Sequence, residues 1–280
     1  MTPFAFYETV VSGSRIDTHG VSQGILAIAT GMQSMGWSIY DDQLTDPSDS
    51  RIVMYNEEGE TTSSGIYLVV ASGSTSSIYF QIANSWDAGV HQADDLITPT
   101  VVSSIPLPVT HDTSWVLWTS GDKDSVTIVN KVENVYYHII AGRGENFLGP
   151  DLEPYGVYLK EGGEGTPGAT DVRGIVGNPP QTLLIQNEGE FLVYPIAASN
   201  SPRTGLQGDE EDVILSALPL LFVVDDTSPL RKGAISIVKN VWNMRGTDIG
   251  VMSEMVFTVE GSSEEYMAFA GTYALVIRRA

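Results

Sequence analysis

Residues 125 to 145 read SVTIVNKVENVYYHIIAGRGE. Two runs rich in Val, Ile, Thr and Tyr flank a short polar break, and glycines at 142 and 144 close the second run, which is the pattern of a β-hairpin. Ser125 to Asn130 supplies the first expected strand and Val135 to Ala141 the second, with Lys131, Val132, Glu133 and Asn134 as the turn. The stretch carries nothing arranged for chemistry, since its single histidine, His138, has no adjacent ligand set or acid/base partner at a useful spacing.

Working upstream, GIYLVVASGSTSSIYFQIA, beginning at Gly65, reads as a second hairpin in which Ile66, Leu68 and Val70 form one face of one strand and Ile78, Phe80 and Ile82 one face of the other. Arg51 to Tyr55 and Ser114 to Thr119 are further strands. Nearer the start the period changes. Val21, Ile25, Ile28, Met32 and Met35 recur at helical spacing, and Gly36 stands where a glycine stops a helix. Gly24 and Gly31 lie inside that helix, each at a cost of about 1 kcal/mol relative to Ala. The methionines of the stripe read as core packing.

Downstream, residues 143 to 212 are rich in Gly, Pro, Asn and acids, which predicts long surface loops with QTLLIQ and FLVYPIA as short strands. An acidic knot, Asp209 to Asp212, precedes the apolar run VILSALPLLFVVDD, and the tail returns to strands at Ala234 to Val238, Met255 to Glu260 and Tyr273 to Arg278. The expected fold is mainly β (α+β): β-sandwich or barrel-like domains with an N-terminal amphipathic helix and long Gly/Pro-rich loops. Residues 1–142 form a helix plus β domain on this reading and residues 143–280 a loop-rich β region, the alternative being that the two make one domain.

The chain of 280 residues has no cysteine, which excludes a disulfide framework, thiolate metal sites and a cysteine nucleophile. Its N-terminus lacks the basic and apolar segments of a signal peptide. The strongest apolar run, Ala217 to Val224, is interrupted by Pro219 and is far short of the ~20 residues that span a bilayer, so a soluble protein without a membrane partner is expected. Charge is the dominant global feature, with 14 Lys and Arg against 35 Asp and Glu, net −21. Direct nucleic-acid binding is not expected, because phosphates need clustered cations. The imbalance is uneven: 2 basic and 14 acidic residues lie before Lys123, whereas the segment from Pro229 onward has 6 basic and 5 acidic.

No motif rises to a site. Gly163-Glu-Gly165-Thr-Pro-Gly168 matches a nucleotide-binding pattern by letter, but a proline sits inside it and no helical stripe follows to receive phosphates. His19, His91, His111 and His138 are scattered, and His111-Asp112 near Ser114 reads as a turn leading into the strand with Trp115 and Trp118. Asp41, Asp42, Asp46 and Asp49 lack the alternating ligands of a calcium loop and read as a solvated loop. No catalytic, cofactor-binding or metal residue is therefore expected, and the chain is not expected to be an enzyme.

The order of the pieces carries a resemblance. The helix ending in Gly-Trp, the acidic stretch with strands, SGIYLVVASGSTSSIYFQIANSWD and then DKDSVTIVNKVENVYYHIIAGRGE resemble structural proteins of tailed bacteriophage virions, of neck, tail or baseplate type, over roughly residues 20 to 145. The resemblance implies a homo-oligomer that partners other virion proteins, assembled in the bacterial host cytoplasm and located in the virion, in which acidity keeps a wall from trapping DNA. The alternative is a non-catalytic carbohydrate- or receptor-binding β module using Trp37, Trp86 or the loops between residues 143 and 212.

Overall fold

A computed structural model of the chain describes residues 4–12, 18–45, 50–56, 67–72, 77–96, 103–106, 114–132, 135–143, 145–146, 155–161, 172–175, 182–185, 189–192, 216–223, 232–245, 254, 256–258, 263–269 and 273–280. The first half comprises β1 (Ala5–Ser12), α1 (Thr18–Ser34), β2 (Trp37–Asp42), β3 (Arg51–Asn56), β4 (Tyr67–Ser72), β5 (Ser77–Asp87), β6 (Gln92–Leu96), β7 (Ser103–Pro106), β8 (Ser114–Gly121), β9 (Ser125–Val132) and β10 (Val135–Arg143). The second half comprises β11 (Glu145–Asn146), β12 (Tyr155–Glu161), β13 (Val172–Ile175), β14 (Thr182–Ile185), β15 (Gly189–Leu192), β16 (Ser216–Val223), β17 (Lys232–Arg245), β18 (Val256–Thr258), β19 (Glu265–Phe269) and β20 (Tyr273–Arg278). The protein is mainly β.

Three antiparallel sheets carry the fold. A central sheet has the order β1-β8-β9-β10-β12-β13, a second has β2-β3-β4-β5-β6 with β7 also on β5, and a third has β11-β17-β20-β19-β18 with β16 on β17. A separate ribbon pairs β14 with β15. The opening hairpin thus lies in the middle of the central sheet, where Ile139 pairs Ile128 and His138 pairs Val129.

Side-chain alternation along β8 places the layers. On one face, Trp115 and Thr119 meet α1: a Cβ added at Gly24 would lie 2.9 Å from the Trp115 ring and 2.8 Å from Ile78 Cδ1 of β5, and one added at Gly31 would lie 2.0 Å from Thr119 Oγ1. The helix is therefore pressed between the central and second sheets, and its two internal glycines mark where the strands come closest. On the opposite face of β8, the Trp118 ring lies 5.0 Å from that of Phe269 in β19, and Ser120 Oγ donates 2.6 Å to the Arg278 carbonyl of β20. The layers run second sheet, α1, central sheet, third sheet.

Coverage on both sides explains why SVTIVN does not alternate. Ser125 through Asn130 are all buried, with Ile128 paired to Thr119 on the helix side and Val129 paired to Trp118 on the other. Such strands read as continuous apolar runs because neither face meets water. Ile25, Ile28, Met32 and Met35 of α1 are likewise fully buried. The helix stops as expected: Gly36 N–H donates to the Gln33 carbonyl at 3.1 Å, and Gly36 has φ +94°.

Two expectations are corrected. Lys131 and Val132 belong to β9 rather than to the turn, because Lys131 is laddered to Val116 on one side and Tyr136 on the other, and Val132 pairs Val135. Glu133 and Asn134 lie outside the described residues. Within the segment expected to be loops, β12 and β13 extend the central sheet, since β12 pairs β10 from Tyr137↔Glu161 to Arg143↔Tyr155.

Candidate functional site

The chemistry-bearing side chains that gather away from the layer contacts do so on the face of the second sheet opposite α1. Val53, Val69 and Ala71 point that way and are buried by Trp86. Trp86 reaches them because the β5–β6 ladder slips twice, between Ala83 and Ser85 and again between Ser85 and Trp86. A third slip, between Ile39 and Asp41, inserts Tyr40 as an extra residue in β2 and pairs Asp41 with Val53. Bulges of this kind re-aim side chains. Here the bulge brings the Asp41 carboxylate onto the Trp86 face.

Asp41 is almost fully buried and doubly engaged. Its Oδ2 accepts the Trp86 indole N–H at 2.8 Å and lies 2.9 Å from His91 Nδ1. A carboxylate facing Nδ1 makes that nitrogen the donor and fixes the orientation of the ring. The His91 side chain remains 40% exposed. Its backbone is fixed as well, since the Arg51 guanidinium donates from Nη1 to the His91 carbonyl at 3.0 Å while lying 5.8 Å from the Trp86 ring centroid. His91 has φ +57°, a left-handed conformation uncommon for a residue with a Cβ. A strained backbone and an oriented, partly exposed ring coincide at this one residue.

Beside this cluster lies a tyrosine trio. Tyr55 and Tyr67 are cross-strand partners with ring centroids 4.7 Å apart, and Tyr40 meets Tyr67 edge-on at 4.9 Å. Burial, with a further contribution from the neighbouring Tyr40 phenol, pushes the Tyr67 hydroxyl up to about 12. Tyr40 itself is 45% exposed, one of the few large apolar side chains among the described residues so open to water.

A second cluster ties the central and third sheets. The Lys131 ammonium and the Tyr136 hydroxyl both donate to Glu254 Oε1, and the Tyr136 ring packs 5.5 Å from Phe269. The hydrogen bond to Glu254 raises Lys131 above the ordinary lysine range against the opposing effect of burial. Burial alone would raise the Glu254 carboxyl, but the bonds from Lys131 and Tyr136 outweigh it and hold the group below the usual range. Both partners are thus held ionised, which suits a structural tie.

The residues singled out from sequence are distributed differently from expectation. Trp37 is buried and donates its indole N–H to the Asp122 carbonyl at 3.0 Å, and Trp86 is buried against Asp41, so neither presents a face on which a sugar could stack. Trp115 and Trp118 are core residues. Asp41 does not sit in a solvated loop, because the bulge folds it under Trp86; Asp42 ends β2 exposed, and Asp46 and Asp49 lie outside the described residues. His19 lies in α1 and His138 in β10, while His111, Asp112 and Gly163 to Gly168 lie outside the described residues. Among the described residues no three His, Asp or Glu side chains stand together as a metal site, and no helix is long and apolar enough to cross a membrane. The role of His91 had no sequence signal, since its partners Arg51 and Asp41 lie 40 and 50 positions away. No protein-family model matches the chain, and no curated protein matches it.

Proposed function

We propose that this chain is a structural subunit of a tailed-phage virion, of neck, tail or baseplate, assembling with copies of itself and with other virion proteins. The observation that supports this reading is where the polar side chains are engaged. Trp37 and Asn56 of the second sheet and Asn240 of the third all donate to the β8–β9 turn, to Asp122 O, Lys123 O and Asp122 Oδ2 respectively. Lys131 and Tyr136 do the same work on Glu254. Groups that would serve chemistry in an enzyme join layers here, which suits a block that transmits position between neighbours, and the reading assigns no catalytic residue and no cofactor. It agrees with the virion resemblance of residues 20 to 145.

Light scattering on the purified chain tests the proposal. A mass that is a multiple of 30.2 kDa, with rings or stacked particles in electron micrographs, is the expected result. A monomer at every concentration up to the millimolar range counts against it. The open Tyr40 ring favours a second reading, a non-catalytic binding β module for a glycan or receptor, for which a monomer with a sugar-dependent change in fluorescence is the signature.

A further inference from the structure

We infer that β1 is a self-pairing edge, through which a second copy of this chain continues the central sheet antiparallel to the first, with Thr9 on the two-fold axis. The inference rests on the assembly reading and names the surface through which copies meet.

Strand edges carry unpaired backbone N–H and C=O groups, and proteins blunt them with bulges, prolines, charges or shortness. Among the described residues every other edge is blunted in one of these ways. β2 is bulged at Tyr40, and β6 carries Asp94 and Asp95. β7 has four residues and ends in Pro106, while β16 contains Pro219 and slips twice against β17. β11, β13 and β18 span two, four and three residues, and each strand of the β14–β15 ribbon has four. β1 is built differently. It ends the central sheet, pairs β8 over eight residues without a slip, contains no proline and carries a single charge, Glu8. The Val10 side chain on it is 64% exposed.

The sequence of β1 selects its own kind as the partner. Tyr7 lies against Gly31 of α1, so alternation turns Ala5, Tyr7, Thr9 and Val11 toward the helix and Phe6, Glu8, Val10 and Ser12 away from it. A two-fold axis between antiparallel neighbours stands perpendicular to the sheet and keeps each face on its own side, so it must pass beside a residue that meets its own counterpart. On Glu8 the axis would set two carboxylates directly opposite, which is destabilising. One step along, on Thr9, residues 6 to 12 of both copies overlap. Thr9 then meets Thr9, Tyr7 meets Val11 and Glu8 meets Val10 of the second copy, and Thr–Thr and aromatic–β-branched pairs are among those that stabilise sheets. No other symmetric register overlaps as far without opposing the two acids.

The test is sedimentation of the full chain and of variants at Val10, where an exposed side chain lets the fold accept a charge. Val10→Glu opposes Glu8 of the second copy at two places across the axis, and Val10→Lys pairs with it at the same two places. We expect Val10→Glu to weaken self-association roughly ten-fold and Val10→Lys to retain it, with circular dichroism establishing that both are folded. Because each copy carries net −21, the parent's association should tighten as salt screens the repulsion. The register is read separately through cysteine, which the chain lacks. Thr9→Cys should give a disulfide-linked dimer on mild oxidation, since directly opposite Cβ atoms lie about 4.5–5.5 Å apart. Ser12→Cys should not, its counterpart being about 20 Å away along the strands. Equal self-association of the Val10→Glu and Val10→Lys chains, or no more cross-linking at Thr9→Cys than at Ser12→Cys, overturns the inference. A ring or stack indifferent to Val10→Glu removes β1 as the contact and leaves the assembly reading standing. A dimer that builds no larger particle yet is lost in Val10→Glu keeps the β1 contact and sinks the virion reading.

Discussion

At Gly31 the space for a methyl group is already taken by Thr119 Oγ1, with Tyr7 Cδ1 a further 3.1 Å from the same point. Propensity counts this glycine as a defect of about 1 kcal/mol; packing makes it a requirement. Gly31→Ala should therefore destabilise the fold by about 1–2 kcal/mol in urea unfolding, since overpacking of about 1–3 kcal/mol exceeds the helical gain. Gly36 is the opposite case. A Cβ there would meet nothing nearer than Lys123 Cβ at 3.7 Å, so Gly36→Ala should cost about 1 kcal/mol through its positive φ alone. Glu254 gives a pH-dependent result. Its carboxyl titrates lower in the folded chain than in the unfolded one, so its contribution is fully present above the unfolded value of about 4.3 and fades as pH falls through the folded value. Lys131 titrates higher when folded, so its contribution is complete below about 10.4 and fades as pH rises through the folded value. Between those limits the difference in melting temperature between the parent and Glu254→Gln should be constant, and below about pH 4 it should shrink. A difference that persists unchanged at pH 2 would mean that Glu254 acts by shape rather than by charge.

Among elements, β9 is the most sensitive to substitution because it has no wet face. Ile128→Asp should abolish soluble folded protein, since an unpaired carboxylate in apolar surroundings costs several kcal/mol against a total stability of about 5–15, whereas Ile128→Val should cost about 1. Recovery of folded Ile128→Asp would contradict the two-sided burial of the strand. The elements legible from sequence were those whose own residues argue for them. The Leu68/Ile82 and Val70/Phe80 pairs of the β4–β5 hairpin, the Met32 and Met35 end of α1, and β20 from Tyr273 to Arg278 all fall where local pattern puts them. Others are strands only because a neighbour supplies the ladder. QADDL of β6 has two acids and no β-branched residue, and it is held by the bulged end of β5; YGVYLKE of β12 begins in a breaker-rich stretch and is held by β10. The same reason hid the Tyr40 surface. Its parts, Tyr40, Tyr55, Tyr67 and His91, lie on four separate segments, and a bulge that no propensity announces brings the first of them into place.

For the molecule as a whole, the net charge of −21 leads to the expectation that a duplex DNA mobility shift will be absent at physiological salt. A salt-sensitive shift would point instead to a local basic patch among Arg231, Lys232, Lys239 and Arg245. The four layers also differ in how they are joined. Apolar faces hold them together through a non-directional driving force, and position is set where side chains interlock, as at Gly24 and Gly31, and where directional bonds cross between layers. Bonds from both outer sheets meet at the β8–β9 turn, where Asp122 Oδ1 accepts the Asp124 and Ser125 N–H groups at 2.9 and 3.1 Å and shapes the loop that receives Trp37, Asn56 and Asn240. Asp122→Ala should cost about 2 kcal/mol and separate the unfolding of the second and third sheets, which tryptophan fluorescence and hydrogen exchange would follow as two transitions. A single coincident transition would show that the layers are coupled without the Asp122 side chain. Under shear the turn behaves as one pin and the Glu254 tie as another: with two fixed points between the central and third sheets, a torque on that outer layer meets resistance at both and cannot swivel about Asp122 alone.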